Sequence, residues 1–170
     1  MHRVLQHVFK RLSLSHRLSI LFAIAADDEW NGWKRLGDPV LHIDLRNWAD
    51  ALVVAPLSAH SLAKFSSGLC DDPLSCCVRA WDFGHGNSSP LNQLKPIFLA
   101  PAMNTIMWNH PLTHRQLSGI QSFSTSSPSQ VVIVEPKKES KLACGEIGAG
   151  AMADVSDIIL AVKNHFGIHV

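Results

Sequence analysis

A chain of 170 residues, 46% hydrophobic and 17% charged, is long enough to bury a core and fits one α/β domain over 1–170, which excludes disorder across its whole length. Its formal charge of +1 comes from scattered Lys and Arg, which excludes a basic stripe for a phosphodiester backbone, so no nucleic-acid partner is expected. Cys70, Cys76, Cys77 and Cys144 lack paired metal-ligand spacing and no secretory context argues for bridges, so the expectation is reduced thiols and no metal site.

Residues 1–26 combine Arg3, Lys10, Arg11, Ser13, Ser15 and Arg17 with the apolar run Leu18 to Ala26, and contain no acid. That composition fits a transit peptide or weak signal sequence, or else an amphipathic helix that feeds a strand. The run is shorter than the ~20 residues needed to cross a bilayer, so no membrane partner is expected. A cytoplasmic location is expected, with organelle targeting by this segment as the alternative.

Asp27-Asp28-Glu29-Trp30 starts a short acidic helix that Gly37-Asp38-Pro39 ends in a turn. Leu41 to Ala49 places His42, Leu45, Trp48 and Ala49 at helical spacing. Ala51 to Leu57 reads as a central strand buried on both faces, with Ser58-Ala59-His60-Ser61 in the loop at its carboxyl end. Helices over Leu62 to Gly68 and Leu74 to Ala80 follow, then a strand over Pro96 to Ala100 and a loop at Pro101. A helix from near Thr113 and a strand over Gln130 to Glu135 repeat the pattern, and the alternation implies a parallel sheet with right-handed crossovers. Gly, Ser, Asn and Pro dominate 83–94 and 122–130, which read as surface insertions. Cys144 to Asp154 is a glycine-rich loop in which Gly145, Gly148 and Gly150 permit close backbone approach, and a helix from Ser156 to about Phe166 follows it.

Several side chains in this frame invite chemistry, each beside a plainer reading. His42 is a proton-transfer candidate or a half-buried helix residue, and His60 contacts a ligand or simply lies in a loop. Cys70, Cys76 and Cys77 read as small core hydrophobes, whereas Cys144 stands in a glycine loop near Lys141 and Glu146, where a thiol can meet a ligand. Asn104 is unusual for a core and suits a polar ligand group, while Met103, Met107 and Trp108 fit packing equally well. The glycine loop lacks the G-x-G-x-x-G spacing and comes too late for a first βα turn, so a dinucleotide site is a weak reading.

Asp27 to Trp30, Asp38 to Leu45, Trp48-Ala49-Asp50, Val54 to Ala59, Arg79 to Asp82, Pro101 to Trp108, Ala143 to Glu146 and Gly150 to Ala153 together resemble one family, in order. It is that of the phosphopantothenoylcysteine decarboxylases, which belong to the homo-oligomeric flavin-containing cysteine decarboxylases and include the plant halotolerance flavoproteins. The resemblance implies a Rossmann-like, flavodoxin-type parallel sheet in a three-layer α/β/α arrangement, and a homotrimer with FMN between subunits. It places Ser58, Ala59, His60, Ser61 and Met103 on the flavin. It makes Asn104 the anchor of the substrate carboxylate, Lys141, Leu142 and Ala143 the substrate flap, His42 the active-site histidine, and Cys144 the proton donor of the reductive half-reaction.

The implied reaction converts 4'-phospho-N-pantothenoylcysteine to 4'-phosphopantetheine, a coenzyme A precursor. Oxidation of the cysteinyl thiol to a thioaldehyde by FMN makes loss of CO2 possible, and the enethiolate that results takes back the electrons with a proton from an acid. An amide at Asn104 would hold the carboxylate without the ionic stabilisation that opposes its departure.

Three departures accompany the resemblance. The family opens with a strand, a Gly-Ser-Val-Ala-type turn and a helix that receives the FMN phosphate; no such turn precedes Asp27, so the fold is expected to be N-terminally incomplete. His60 and Ser61 stand where the family has Asn and Thr. Asp72-Pro73 replaces Asn-Leu, and Pro73 is expected to shift the start of the next helix. These departures support an alternative reading, a catalytically impaired member acting as a regulatory subunit, for example phosphatase-inhibitor-like, or in mixed trimers.

Overall fold

The computed structural model describes residues 7–11, 18–20, 33–84, 94–124, 130–142, 145 and 147–168. Its main sheet has the order β2-β1-β3-β4-β5, formed by β1 (His7–Arg11), β2 (Leu18–Ile20), β3 (Ala51–Leu57), β4 (Ile97–Pro101) and β5 (Val131–Ile133). The last three are parallel, as the alternating pattern predicts, with Leu52 opposite Ile97 and Ile97 opposite Val131. The two N-terminal strands pair antiparallel, β1 with both β2 and β3, so the described parts of 1–26 contain strands and no helix. The acidic helix expected from Asp27 begins outside the described residues, and the described 33–40 form a turn. Asp38 shapes it by accepting from the N–H groups of Lys34 and Arg35, both at 2.9 Å.

The apolar runs of β3 and β4 divide between two cores because successive side chains point to opposite faces. Leu52, Val54, Ile97 and Leu99 join Leu62, Phe65, Val78, Trp81, Leu117 and Ile120 on one face. Ala51, Val53, Phe98 and Ala100 join Ile158 and Val162 on the other. The first core is covered by α1 (Leu41–Trp48), α2 (Ala59–Ser67), α3 (Pro73–Arg79) and α5 (Pro111–Gln121), and the second by α6 (Val155–His165). The result is the expected three layers.

Helix boundaries follow local chemistry. Asp72 caps α3 with a full capping box and Pro73 occupies the first turn, where the missing N–H costs nothing, so the Asp72-Pro73 pair builds this helix one residue earlier than Leu74. Gly68 ends α2 in the left-handed region at φ 72°, a conformation that favours glycine. The C-terminal carbonyls of α1 are satisfied by Lys95, whose Nζ donates to Arg46 and Asn47 at 2.9 Å each; burial of this ammonium lowers its pKa. Helix α5 begins at Pro111, two residues before Thr113.

Cys76 and Cys77 are buried as expected, but Cys70 is exposed, because it falls in the turn after the Gly68 cap and not on a helix. The ends of the two insertions pack inward: Phe83 meets Phe123 edge to face at 5.7 Å, and buried Gln130 donates to the carbonyls of Asp82 and Lys95. Residues 85–93 and 125–129 lie outside the described residues. Among the described residues, no helix is long and apolar enough to cross a membrane.

Candidate active site

Strands β3 and β4 end side by side. Leu57 is in register with Pro101, and the Ala102 N–H donates to the Leu57 carbonyl at 2.9 Å, which sets the residues after both strands on one edge of the sheet. That edge is where open α/β sheets bind ligands.

The segment after β3 is a helix start rather than a loop. Ser58 is the N-cap of α2, its Oγ accepting from the Ser61 N–H at 3.1 Å, so Ala59, His60 and Ser61 form the first turn. Their polarity conceals the helix in the sequence, since no apolar period begins until Leu62. The Ala59 and His60 amides precede any intrahelical acceptor and remain available as donors, and the His60 side chain is exposed.

After β4, Asn104 caps a single turn, α4 (Thr105–Trp108), inside the stretch expected to be loop. Its Oδ1 accepts from the Met107 N–H at 2.8 Å. With the oxygen committed, the exposed Asn104 presents its Nδ2 donor outward. Met103 is half-buried against the first core, with Thr113 Oγ1 at 3.8 Å from its sulfur.

A hairpin leans on this turn. Strand β6 (Ser140–Lys141) pairs antiparallel with β7 (Ile147–Gly148), and the return chain reaches Met103 through the Met103 N–H, which donates to the Gly150 carbonyl at 2.9 Å. Thr105 Oγ1 donates to the Ala149 carbonyl at 3.0 Å. At the base, Lys137 pairs in the sheet sense with Ala151, and its Nζ lies 2.6 Å from Asp154 Oδ1. Glycine is needed here: at Gly150, φ 105°, a Cβ would stand 2.5 Å from the Met103 carbonyl, and at Gly148 it would collide with Thr105 Oγ1.

The chain therefore brings together Ser58 to Ser61, Met103, Asn104 and the hairpin. Leu142 is buried just beyond β6, at the turn end of the hairpin, and the Gly145 N–H donates to its carbonyl at 2.9 Å. Ala143 and Cys144 lie outside the described residues, and of Lys141 only its backbone, in β6, is described. His42 stands apart, in the first turn of α1, where its carbonyl accepts from Cys77 Sγ at 3.5 Å and its helix packs on α3. Thr105 and Ala149 carry no signal of their own in the sequence; the spacing Gly148-x-Gly150 is what points to them.

The shifted ionisable groups belong to scaffold. Lys64 bonds Asp71 and Asp72, which raise its pKa, at the opposite edge of the sheet near the Gly68 cap. A cavity of about 620 Å³ opens at that same edge, between Phe65, Arg79, Trp81 and Phe83, and is remote from Asn104. No group of three or more His, Cys, Asp or Glu among the described residues is arranged to hold a metal ion.

Known proteins align with this architecture. A phosphopantothenoylcysteine decarboxylase of Arabidopsis thaliana is 44% identical over 157 residues, 92% of this chain, and the chain spans 66% of that relative's length, just under two thirds. A solved PPC decarboxylase mutant complexed with pantothenoylaminoethenethiol superposes with a TM-score of 0.73 at 44% identity, over 85% of this chain and 70% of that one. The FMN binding protein AtHal3 superposes with a TM-score of 0.69 at 44% identity, over 86% of this chain and 70% of that one. The family model described as Flavoprotein matches residues 3–167, nearly the whole sequence, and the chain belongs to the Flavoprotein family.

Proposed function

We propose that the chain is an FMN-dependent decarboxylase that converts 4'-phospho-N-pantothenoylcysteine to 4'-phosphopantetheine in coenzyme A biosynthesis, as a homotrimer in the cytoplasm. The observation that carries this reading is Asn104, whose amide oxygen is spent on the Met107 N–H while its donor end faces outward at the carboxyl edge of the sheet. A donor without charge suits a carboxylate that must leave, because a strong ion pair would stabilise the ground state more than the transition state.

The residues present fit FMN. The Ala59 and His60 amides supply donors for the polar edge of a flavin, and Ser58 and Ser61, 3.1 Å apart at their hydroxyls, add rotatable donors beside them. Met103 supplies half-buried apolar surface on the adjoining strand end. Bound there, FMN would supply two-electron oxidation of the substrate thiol and its reversal.

The chain's own residues have the remaining tasks. Asn104 orients the carboxylate, and Lys141, Leu142 and Ala143 act as the flap segment that excludes water from it. His42 exchanges a proton near the reacting thiol. Cys144 delivers the last proton. The Arabidopsis relative's name and the solved PPC decarboxylase complex support this substrate class.

The visible spectrum of the purified chain tests the reading. Flavin absorbance bands, present as isolated or after reconstitution with FMN, together with CO2 release from the substrate, are expected. A colourless protein that takes up no FMN overturns it and leaves the regulatory reading.

A further inference from the structure

Asn104 is flanked on both sides by contacts to the same return segment of the hairpin, just after β7. On one side the Met103 amide holds the Gly150 carbonyl at 2.9 Å; on the other, Thr105 Oγ1 holds the Ala149 carbonyl at 3.0 Å. The fit is close enough that side chains are excluded. A Cβ on Gly148 would meet the Thr105 Oγ1, Cβ and Cγ2 atoms, and one on Gly150 would meet the Met103 carbonyl and the Trp108 Cβ. Thr105 is the first residue after the Asn104 cap, so its position is fixed by the turn that also fixes the Asn104 amide.

We propose that Thr105 is a positioning residue that latches the return strand of the hairpin to the Asn104 turn, so that the amide and the hairpin keep one relative geometry. The hydroxyl is the removable part of this latch. The Met103 to Gly150 bond is made by backbone and survives any side-chain change, whereas the Thr105 bond depends on one Oγ. Thr105 touches no reacting atom; it acts through Asn104 and the hairpin. The inference rests on the decarboxylase reading only for the task of Asn104, and the contact itself does not depend on it.

Amide hydrogen exchange on the whole protein separates the two. Thr105→Val keeps the shape and removes the donor, and faster exchange of the 147–151 amides by about five- to tenfold is expected, the equivalent of one lost hydrogen bond. Thr105→Ser keeps the donor and should restore the parental rate. Gly148→Ala, whose methyl collides with Thr105, should loosen the same amides while those of β3 and β4 stay protected. Parental exchange at 147–151 in both Thr105→Val and Gly148→Ala overturns the latch, whether or not the chain releases CO2. Where it does, a KM raised in Thr105→Val and returned by Thr105→Ser, with a smaller change in kcat, is expected; an equal loss of kcat in both variants would contradict positioning.

Discussion

Asn104 has two ends to one amide: the oxygen closes the turn of α4, and the nitrogen of this exposed residue is the end left for the proposed substrate carboxylate. This division makes a clean substitution available. Asn104→Asp keeps an N-cap acceptor of equal quality, so thermal stability should stay close to the parent. Against a substrate carboxylate, however, it sets like charge against like, which should raise KM by about tenfold or more. Calorimetry and steady-state kinetics on the same preparation check both halves, and an unchanged KM would remove Asn104 from the substrate. The sequence exposes Asn104 as a polar residue out of place between Met103 and Thr105. It does not show that the oxygen is already engaged, because the one-turn helix is too short to leave an apolar period.

At the scale of elements, what was legible tracks with how local the cause is. The strands Ala51–Leu57 and Ile97–Pro101 are continuous apolar runs whose burial on both faces is written in composition. The start of α2 is not, because Ser58, His60 and Ser61 serve the cap and not the core. The β6–β7 hairpin is illegible for a different reason: its strands are two residues each and are held by Met103 and Thr105, which are distant in sequence. Helix α3 shows a local device that sequence reading treats as a disturbance. Asp72 caps it, and Lys64 lies 2.7 Å from the same carboxylate. Burial alone would raise the Asp72 pKa, but Lys64 and the Ser75 donors hold it below the usual carboxylate range. A depressed carboxylate contributes stability above its unfolded pKa of about 3.9 that is lost as pH falls through the folded value. The raised Lys64 pKa has the opposite window, its contribution lasting until pH rises through the folded value. Asp72→Asn retains the cap and removes the charge. Its stability in urea should lie below the parent by less than about 1 kcal/mol at neutral pH, given the partial exposure of the pair, and should converge on the parent as the pH falls through the lowered folded-state pKa of Asp72. A constant gap across that range would assign the effect to something other than the ion pair.

Across the whole molecule, the candidate residues are carried by different elements. His42 belongs to α1, packed on α3 over the first core, whereas Asn104 is tied to the hairpin and to α5. Around Asn104, Ile106 and Ile147 are 76% and 73% exposed, and Met107 and Leu112 lie close by with 47% and 43%, an exposed apolar rim of the kind that marks interaction surfaces. Suppose that, in the proposed trimer, one subunit supplies His42 and its neighbour Asn104. Two inactive variants should then rescue each other. His42→Asn and Asn104→Ala, each unable to release CO2 alone, should recover activity when co-expressed or unfolded and refolded together. Random assortment pairs an intact His42 on one subunit with an intact Asn104 on the next at about a quarter of the sites, so about a quarter of parental activity is expected. Light scattering on the same mixture should return three times the mass of one chain. A mixture that stays inactive while assembling to that mass would place both residues within a single subunit's site, and the shared site would be wrong.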